Sequence, residues 1–264
     1  MSNQHYIHPV PGTLLSTVDY SRQLAMDNRL EDGLDYGAVH TIIGCGGIGF
    51  YLGILLSLLG VRNFILVDGD KIDTSNLARL PVPQTWVGTN KAIALRKVMH
   101  SFRPNNLINT LPMRIDTDNL PLLERVCRHL REEMGSDLML WDTTDDARIQ
   151  KKLCAWVRLQ GDTLYRKIGY EGFSVGTYSD MQTAWLPENY QPGYRTTRAN
   201  AASSVLAAVL GIFAQGLLVE GDFNFDVLDF MGVDRELEED SEPEEEDTWV
   251  DDITEEEEDE EEDN

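Results

Sequence analysis

The chain has 264 residues and a formal net charge of −24, but most of that charge lies in one segment. Residues 234–264 hold 21 acids and one base, whereas residues 1–233 hold 25 acids and 21 bases. The composition excludes a membrane span, because no uncharged apolar run reaches about 18 residues. It also excludes a disulfide scaffold, because the three cysteines form no C-x-x-C pair. We predict one folded domain over 1–233 and a disordered acidic tail over 234–264.

The predicted elements alternate between amphipathic helices and short apolar strands, which is typical of an α/β protein. Helices are predicted over 18–30, 50–60, 89–102, 119–133, 147–159 and 200–219. Strands are predicted over 39–43, 64–67, 107–115, 138–141, 163–170, 175–186 and 223–230. This order indicates a Rossmann-like, open and mostly parallel sheet with helices on both faces.

A glycine-rich loop follows the first of these strands and leads into a helix. In the run Gly44-Cys45-Gly46-Gly47-Ile48-Gly49, Gly44 and Gly46 let the chain turn sharply and let a phosphate approach the backbone, and Gly49 lets the helix pack close to the sheet. Asp68 ends the next strand, about 20 residues further on, where an acid can accept hydrogen bonds from ribose hydroxyls. The pattern predicts a nucleotide-binding βαβ unit and leaves open whether the nucleotide is a dinucleotide or ATP.

Charged residues are expected to gather near this loop, because ligands of open α/β sheets lie beyond the carboxyl ends of the strands. Two cations and two acidic groups follow predicted strands or begin a helix: Arg79, Lys91, Asp68 with Asp70, and Asp145 with Asp146. A hydride-transfer site does not need two cations and a second acidic cluster, whereas a triphosphate with Mg²⁺ does. The inventory therefore favours ATP over a nicotinamide cofactor.

Five motifs, in this order and spacing, resemble those of the ThiF/MoeB family, the adenylyltransferases related to ubiquitin-activating enzymes. They are the glycine loop, Asp68-Gly69-Asp70, Ser75-Asn76-Leu77-Ala78-Arg79, Gly88-Thr89-Asn90-Lys91 and Asp142-Thr143-Thr144-Asp145-Asp146. The resemblance extends over roughly residues 20–230. It implies an enzyme that uses ATP and Mg²⁺ to adenylate the C-terminal carboxylate of a ubiquitin-like or small sulfur-carrier protein or peptide, releasing pyrophosphate.

The resemblance also implies roles for single residues. The glycine loop near Gly47 would hold phosphate and Asp68 the ribose, and Asp145 would hold the magnesium ion. Arg22, in an N-terminal arginine motif, would reach into the ATP site of a second copy in a homodimer. The full candidate nucleotide set is Gly44, Gly46, Gly47, Gly49, Asp68, Asp70, Ser75, Asn76, Arg79, Lys91, Asp145 and Asp146, of which Arg79, Lys91 and Asp145, with Arg22, are the candidate catalytic residues.

The chain departs from the family pattern in its cysteines. Both C-x-x-C zinc pairs are absent, and no cysteine follows Cys154, so we expect adenylation without zinc and without a thioester on this chain. Cys45 is expected to be a small filler in the glycine loop. Asp146 is either a ligand or a helix cap, and Lys91 is either a phosphate ligand or a solvated lysine.

Two other function classes stay open at this point. One is an NAD-dependent oxidoreductase, and the other is a catalytically inactive scaffold that binds a ubiquitin-like partner. Neither a membrane nor a nucleic acid is an expected partner, since the acidic tail would repel nucleic acid. The N-terminus lacks the pattern of a secretory signal, and a cytoplasmic location is therefore expected.

Overall fold

A computed structural model describes residues 33–116, 118–134, 137–160, 163–179, 200–220 and 222–232. The strands are β1 (Val39–Ile43), β2 (Asn63–Val67), β3 (Leu107–Leu111), β4 (Leu138–Asp142), β5 (Thr163–Glu171), β6 (Ser174–Tyr178) and β7 (Asp222–Asp226). The helices are α1 (Gly47–Leu59), α2 (Lys91–Phe102), α3 (Leu120–Met134), α4 (Ala147–Gln160), α5 (Ala201–Gly216) and α6 (Val227–Met231). Two 3₁₀ turns, Thr74–Asn76 and Gln84–Trp86, lie between β2 and α2.

The seven strands form one sheet in the order β3-β2-β1-β4-β5-β6-β7. The pairs from β3 to β5 are parallel, and β6 and β7 continue the sheet in antiparallel pairs. The strand order reverses between β1 and β4, so their carboxyl ends border the crevice where open α/β sheets bind ligands. The glycine loop follows β1 and residues 143–146 follow β4, which places both segments at this crevice.

Successive side chains along each strand point to opposite faces of the sheet, which produces two apolar layers, one on each face. On one face, Ile42 and Trp141 belong to a cluster with residues of α1, α2 and α5. On the other face, Ile43 and Leu140 belong to a cluster with residues of α3 and α4. Helices therefore cover both faces, and the prediction of an open, mostly parallel, Rossmann-like sheet is confirmed.

Several predicted boundaries are corrected. α1 begins at Gly47 and not at residue 50, because the loop glycines already adopt the first helical turn. β3 ends at Leu111, four residues before the predicted end at 115, since its pairing with β2 stops there. The predicted strand 223–230 changes into helix α6 at Val227, where pairing with β6 has ended at Asp226.

The sheet and helices α1 to α5 belong to one compact unit, Met1–Val227. A second unit is Leu228–Asn264, whose described residues, 228–232, hold the rest of α6. The predicted helix 18–30, Arg22 and the acidic tail 234–264 lie outside the described residues, and the division at residue 233 stays a prediction. None of the helices in the described ranges combines the length and the apolar character needed to cross a membrane.

Candidate active site

The glycine loop is pressed against the turn that follows β4. Gly44 has φ +91°, a left-handed conformation that favours glycine, and a Cβ there would lie 2.8 Å from the Thr143 carbonyl oxygen. A Cβ on Gly49 would lie 1.9 Å from the Gly44 carbonyl oxygen. At Gly46, by contrast, a Cβ would meet no atom within 4 Å. The loop is therefore closely packed on its inner side and open at Gly46.

Helix α1 begins at this open position without a side-chain cap. Its N-cap residue is Gly46, which has no side chain that could cap the helix. Uncapped N–H groups and the helix dipole favour an anion. A Cβ on Gly47 would lie 3.2 Å from Arg79 Cδ and 2.5 Å from Ser204 Oγ, so a cationic side chain and a hydroxyl on α5 flank the helix start. This arrangement suits a phosphate group.

Asp68 joins the end of β2 to the glycine loop. One of its carboxylate oxygens accepts a hydrogen bond from the Cys45 amide at 2.7 Å, and the other accepts one from the Asp70 amide at 2.7 Å. Burial raises the pKa of Asp68, while the Lys91 ammonium and these amides act in the opposite direction. Each carboxylate oxygen has a second lone pair, so Asp68 can still accept a ribose hydroxyl.

Lys91 is held by Asp70 and is not a freely solvated lysine. Its Nζ lies 3.1 Å from Asp70 Oδ2, and 13% of its side chain is exposed. Arg114 lies on the other side, with its Nη2 3.6 Å from Asp70 Oδ1. Asp70 thus pairs with two cations at this edge. Arg114 was not among the predicted site residues, because the predicted strand 107–115 placed it inside β3, whereas β3 ends at Leu111.

The segment between Asp73 and Arg79 forms a capped 3₁₀ turn. Asp73 accepts a hydrogen bond from the Ser75 amide at 2.9 Å, and Asn76 Oδ1 accepts one from the Asp73 amide at 3.2 Å. The buried Asn76 side chain therefore closes its own turn, while Ser75 is exposed. Arg79 Nη1 donates to the Ser75 carbonyl oxygen at 3.3 Å, which anchors the guanidinium near the start of α1.

Asn90, a further residue that sequence reasoning did not select, joins three parts of this edge. Its Oδ1 accepts a hydrogen bond from the Ile93 amide at 3.2 Å and caps α2. Its Nδ2 donates to the carbonyl oxygens of Asp68 at 2.8 Å and Asp70 at 3.1 Å. One side chain thus fixes both the start of α2, where Lys91 lies, and the acidic turn after β2.

The turn after β4 begins at the buried Asp142 and exposes Asp145 to solvent. Thr143 Oγ1 donates to the carbonyl oxygens of Ile43 and Gly44, which ties the turn to the glycine loop. Asp145 is exposed. The carbonyl oxygen of Asp146 accepts hydrogen bonds from the Ile149 and Gln150 amides, both at 3.0 Å, so Asp146 occupies the N-cap position of α4.

Beneath this turn lies a buried polar cluster around Asp142, in which Lys167 is the cation. Tyr165 OH donates to Asp142 Oδ2 at 2.8 Å, and the Thr144 amide donates to Oδ1 at 3.0 Å. Lys167 Nζ lies 3.8 Å from Asp142 Oδ1. Burial lowers the pKa of Lys167 and raises that of Tyr165. Lys167 was not among the predicted site residues, and the available signal was two adjacent cations, Arg166 and Lys167, within the predicted strand 163–170.

The donor set fits a magnesium ion that arrives with a triphosphate. Within the described ranges, no group of three or more His, Cys, Asp or Glu residues could hold a metal ion by itself. Mg²⁺ is usually bound through one or two carboxylates together with substrate phosphates and water. The exposed carboxylate of Asp145, on the turn that contacts the glycine loop, matches that requirement.

Cys45 packs under the loop and is not exposed for chemistry. Its side chain is fully buried, and its Sγ lies 3.8 Å from the Val67 carbonyl oxygen. Burial, and then the nearby Asp68 carboxylate, raise the pKa of the Cys45 thiol well above its usual value. A thiol in this setting is a poor nucleophile, in agreement with the expected filler role.

Comparison with known proteins identifies the family. The family model of the ThiF family matches residues 20–215. The chain therefore belongs to the ThiF family, as its motifs predicted.

Its curated relatives are distant and much longer. The "Adenylyltransferase and sulfurtransferase UBA4" of Debaryomyces hansenii is 35% identical over 78 residues, which are 29% of this chain and 17% of that protein. The "Ubiquitin-like modifier-activating enzyme 5" of Rattus norvegicus is 29% identical over 102 residues, or 37% of this chain and 25% of that protein. The matched regions thus span a quarter or less of these two relatives.

Solved structures share the fold. Escherichia coli MccB has a TM-score of 0.57 at 19% sequence identity, covering 78% of this chain and 66% of MccB. MccB with ATP gives 0.52 at 19% identity, covering 75% of this chain and 63% of that chain. PaaA gives 0.53 at 14% identity, covering 83% of this chain and 74% of PaaA. At these identities the likeness establishes the fold alone.

Proposed function

We propose that this protein is an ATP-dependent adenylyltransferase that activates the C-terminal carboxylate of a ubiquitin-like or small sulfur-carrier protein or peptide. The observation that carries the proposal is the uncapped start of α1, open at Gly46 and bordered by Arg79, with Lys91 held 3.1 Å from Asp70 on the same edge. Membership of the ThiF family supports this reading. So do relatives named as an adenylyltransferase and as a ubiquitin-like modifier-activating enzyme.

In the proposed reaction, a carboxylate oxygen of the substrate bonds to the α-phosphorus of ATP. The bond from that phosphorus to the bridging oxygen breaks, and pyrophosphate leaves with the electron pair. The substrate carboxylate is already ionised, so no protein base has to remove a proton. The work of the protein is to position two anions that repel each other and to neutralise the charge that grows on the leaving group.

Each residue of the site has a proposed role that follows from its position. The N–H groups at the start of α1 bind phosphate oxygens, and Arg79 and Lys91 supply positive charge to the phosphate chain. Asp68 orients the ribose. Asp145 holds Mg²⁺, which when bound neutralises phosphate charge and polarises the phosphoryl oxygens.

The test is exchange of labelled pyrophosphate into ATP, with small Gly-Gly-ending proteins and peptides as candidate substrates. We expect exchange that depends on substrate and that is lost in Arg79→Ala and Asp145→Ala, while both variants keep the wild-type circular dichroism spectrum. Full exchange in Asp145→Ala would overturn the assignment of that residue. Binding of NAD(H) in preference to ATP would instead favour an oxidoreductase, and ATP binding without exchange would favour an inactive scaffold.

Arg22 enters the proposal as a residue that acts across a homodimer. If it does, Arg22→Ala and Asp145→Ala chains should each be inactive alone. Mixing them and allowing subunits to exchange should restore up to about a quarter of the wild-type activity, since half of the dimers then carry one complete site. A mixture as inactive as its components would contradict action in trans. Retention of exchange by Arg22→Ala alone would remove Arg22 from the site.

A further inference from the structure

Lys167 lies directly beneath the segment that carries Asp145, although it comes from a different strand. Asp142 on β4 and Lys167 on β5 are register partners in a parallel pair, so their side chains project from the same face of the sheet. The Lys167 side chain is 2% exposed and the Asp142 side chain is 0% exposed. An ammonium group in this position needs hydrogen-bond acceptors as well as a counter-charge.

The acceptors of Lys167 include the backbone of the turn. Its Nζ donates to the carbonyl oxygen of Thr144 and, at 3.1 Å, to that of Ile168. The Thr144 carbonyl belongs to the peptide unit that leads into Asp145, so fixing this oxygen fixes the plane from which Asp145 starts. Gln150 Nε2 donates to the same oxygen at 2.9 Å.

Thr144 is held from its other side as well. Its amide and its Oγ1 both donate to Asp142 Oδ1, at 3.0 and 2.8 Å. Lys167 therefore closes a ring of contacts that runs through Asp142 and Thr144 and back to its own Nζ. The ring ends at the residue before Asp145, and Asp145 is the exposed acid of the turn.

We propose that Lys167 is a positioning residue for the metal site, holding the Thr144 peptide so that the Asp145 carboxylate faces a nucleotide-bound divalent cation. This inference rests on the proposed function for the identity of the site. Stability by itself does not account for the group, since a buried ion pair is often no more stabilising than an apolar pair of similar volume. Residues that orient metal ligands in this way commonly change metal affinity 10- to 100-fold when they are replaced.

The test measures metal binding apart from catalysis. The full-length chain is saturated with a non-hydrolysable ATP analogue and titrated with Mn²⁺, with free Mn²⁺ followed by electron paramagnetic resonance. For Lys167→Met we expect the Mn²⁺ dissociation constant to rise at least about tenfold. Affinity for the analogue in the presence of EDTA should stay within about twofold of wild type, because the glycine loop and Lys91 are unchanged.

Two variants separate positioning from stability. The double variant Asp142→Asn/Lys167→Met removes the buried carboxylate together with its counter-charge, so it should regain thermal stability lost in Lys167→Met while Mn²⁺ binding stays weak. Lys151→Met, on the exposed side of α4, is the matched control and should bind Mn²⁺ like wild type. If Lys167→Met does not fold, Mn²⁺ affinity is compared instead in the double variant and in Lys167→Gln, which keeps an uncharged N–H donor group.

The outcomes distinguish this inference from the proposed function. Wild-type Mn²⁺ affinity in Lys167→Met or in the double variant would overturn the positioning role, as would an equal loss of metal-free nucleotide binding. Absence of nucleotide-dependent Mn²⁺ binding in the wild-type chain would also overturn it. If the wild-type chain shows no pyrophosphate exchange but Lys167→Met weakens Mn²⁺ binding, the positioning role of Lys167 is supported and the proposed adenylation activity is contradicted.

Discussion

His40 is a buried histidine whose two ring nitrogens are both engaged. Its Nδ1 accepts a hydrogen bond from Trp141 Nε1 at 3.0 Å, and its Nε2 lies 3.1 Å from the Asp35 carbonyl oxygen. This pairing needs the neutral ring with its proton on Nε2. Burial lowers the pKa of His40 from 6.5 to about 4, against the weaker opposing effect of Asp35.

Stability should therefore fall as the pH is lowered from about 6.5 to 4. The unfolded chain binds a proton at His40 in this range and the folded chain does not, so acid favours unfolding. A pKa difference of about 2.5 corresponds to about 3 kcal/mol once the pH is below both values. Urea unfolding at pH 7 and pH 4.5 should show a smaller loss in His40→Gln than in wild type. Equal losses in the two proteins would contradict the assignment.

The contacts of Lys167 and Asn90 are examples of residue-level features that could not be predicted from the sequence. Every candidate acid or cation placed at a strand end or helix start lies at the expected edge of the sheet in the described residues. Lys167 meets Asp142 only through the register of β4 and β5, 25 positions apart in sequence. Asn90 acts through two backbone carbonyls, which no side-chain pattern reveals. Contacts that depend on register or on backbone acceptors need the folded chain.

At the scale of elements, Gly46 and Gly49 form a matched pair within one loop–helix unit. The Cβ of Gly49→Ala would collide with the backbone oxygen of Gly44, and we expect a loss of about 1–3 kcal/mol or more in the free energy of unfolding. Gly46→Ala meets no neighbouring atom and should leave stability nearly unchanged. Its methyl group should instead hinder phosphate approach and weaken ATP binding. Chemical unfolding and ATP titration of both variants check this contrast.

Asn90 offers a second test of how two elements are joined. Asn90→Ala removes the cap of α2, worth about 1 kcal/mol, and two further hydrogen bonds to the acidic turn. Asn90→Ser can still cap the helix but cannot reach both carbonyl oxygens. We expect Asn90→Ala to be less stable than Asn90→Ser, while both weaken ATP binding because Lys91 loses its fixed relation to Asp70. Wild-type ATP affinity in Asn90→Ser would show that the cap alone matters.

Element types were predictable from hydrophobic period, whereas some ends were not. The corrected end of β3 and the change from β7 to α6 both occur where pairing with a neighbouring strand stops. Residues 112–115 and 227–230 carry enough apolar side chains to resemble strand, and only the length of the partner strand sets the limit. The start of α1 was missed for a different reason. Glycine has low helix propensity, and Gly47 and Gly49 are helical here where they pack against Ser204 of α5 and the backbone that follows β1.

At the scale of the whole chain, the acidic segment 234–264 is predicted to be dispensable for folding. Its 21 acids and single base leave almost nothing apolar to bury. A chain shortened to end at Val233 should keep its melting temperature. Its apparent ATP affinity should rise, because the acidic tail no longer repels the triphosphate. The rise should be larger at low salt than at high salt, because this repulsion is screened beyond about 10 Å at 0.1 M salt.

Thermal unfolding and ATP titration at two salt concentrations test the prediction. A large fall in melting temperature on shortening would show that the segment is part of the fold. An ATP affinity that is equal in the long and short chains at low salt would remove the electrostatic effect. A chain with the tail acids changed to glutamine and asparagine is the matched control, since it keeps length and loses charge.

The packing of α5 against the start of α1 has a consequence for synthesis on the ribosome. Ser204 borders Gly47, and α5 packs on α1, yet Gly49 and Ser204 are 155 positions apart in sequence. At roughly 5–20 residues per second, translation needs about 8–30 s to cross that interval. The glycine loop is thus made early in translation, and it lacks its neighbour Ser204 until α5 has emerged. If the glycine loop binds nucleotide as proposed, a nascent chain therefore cannot form the complete binding site before α5 has been translated, and nucleotide cannot serve as an early template for this fold.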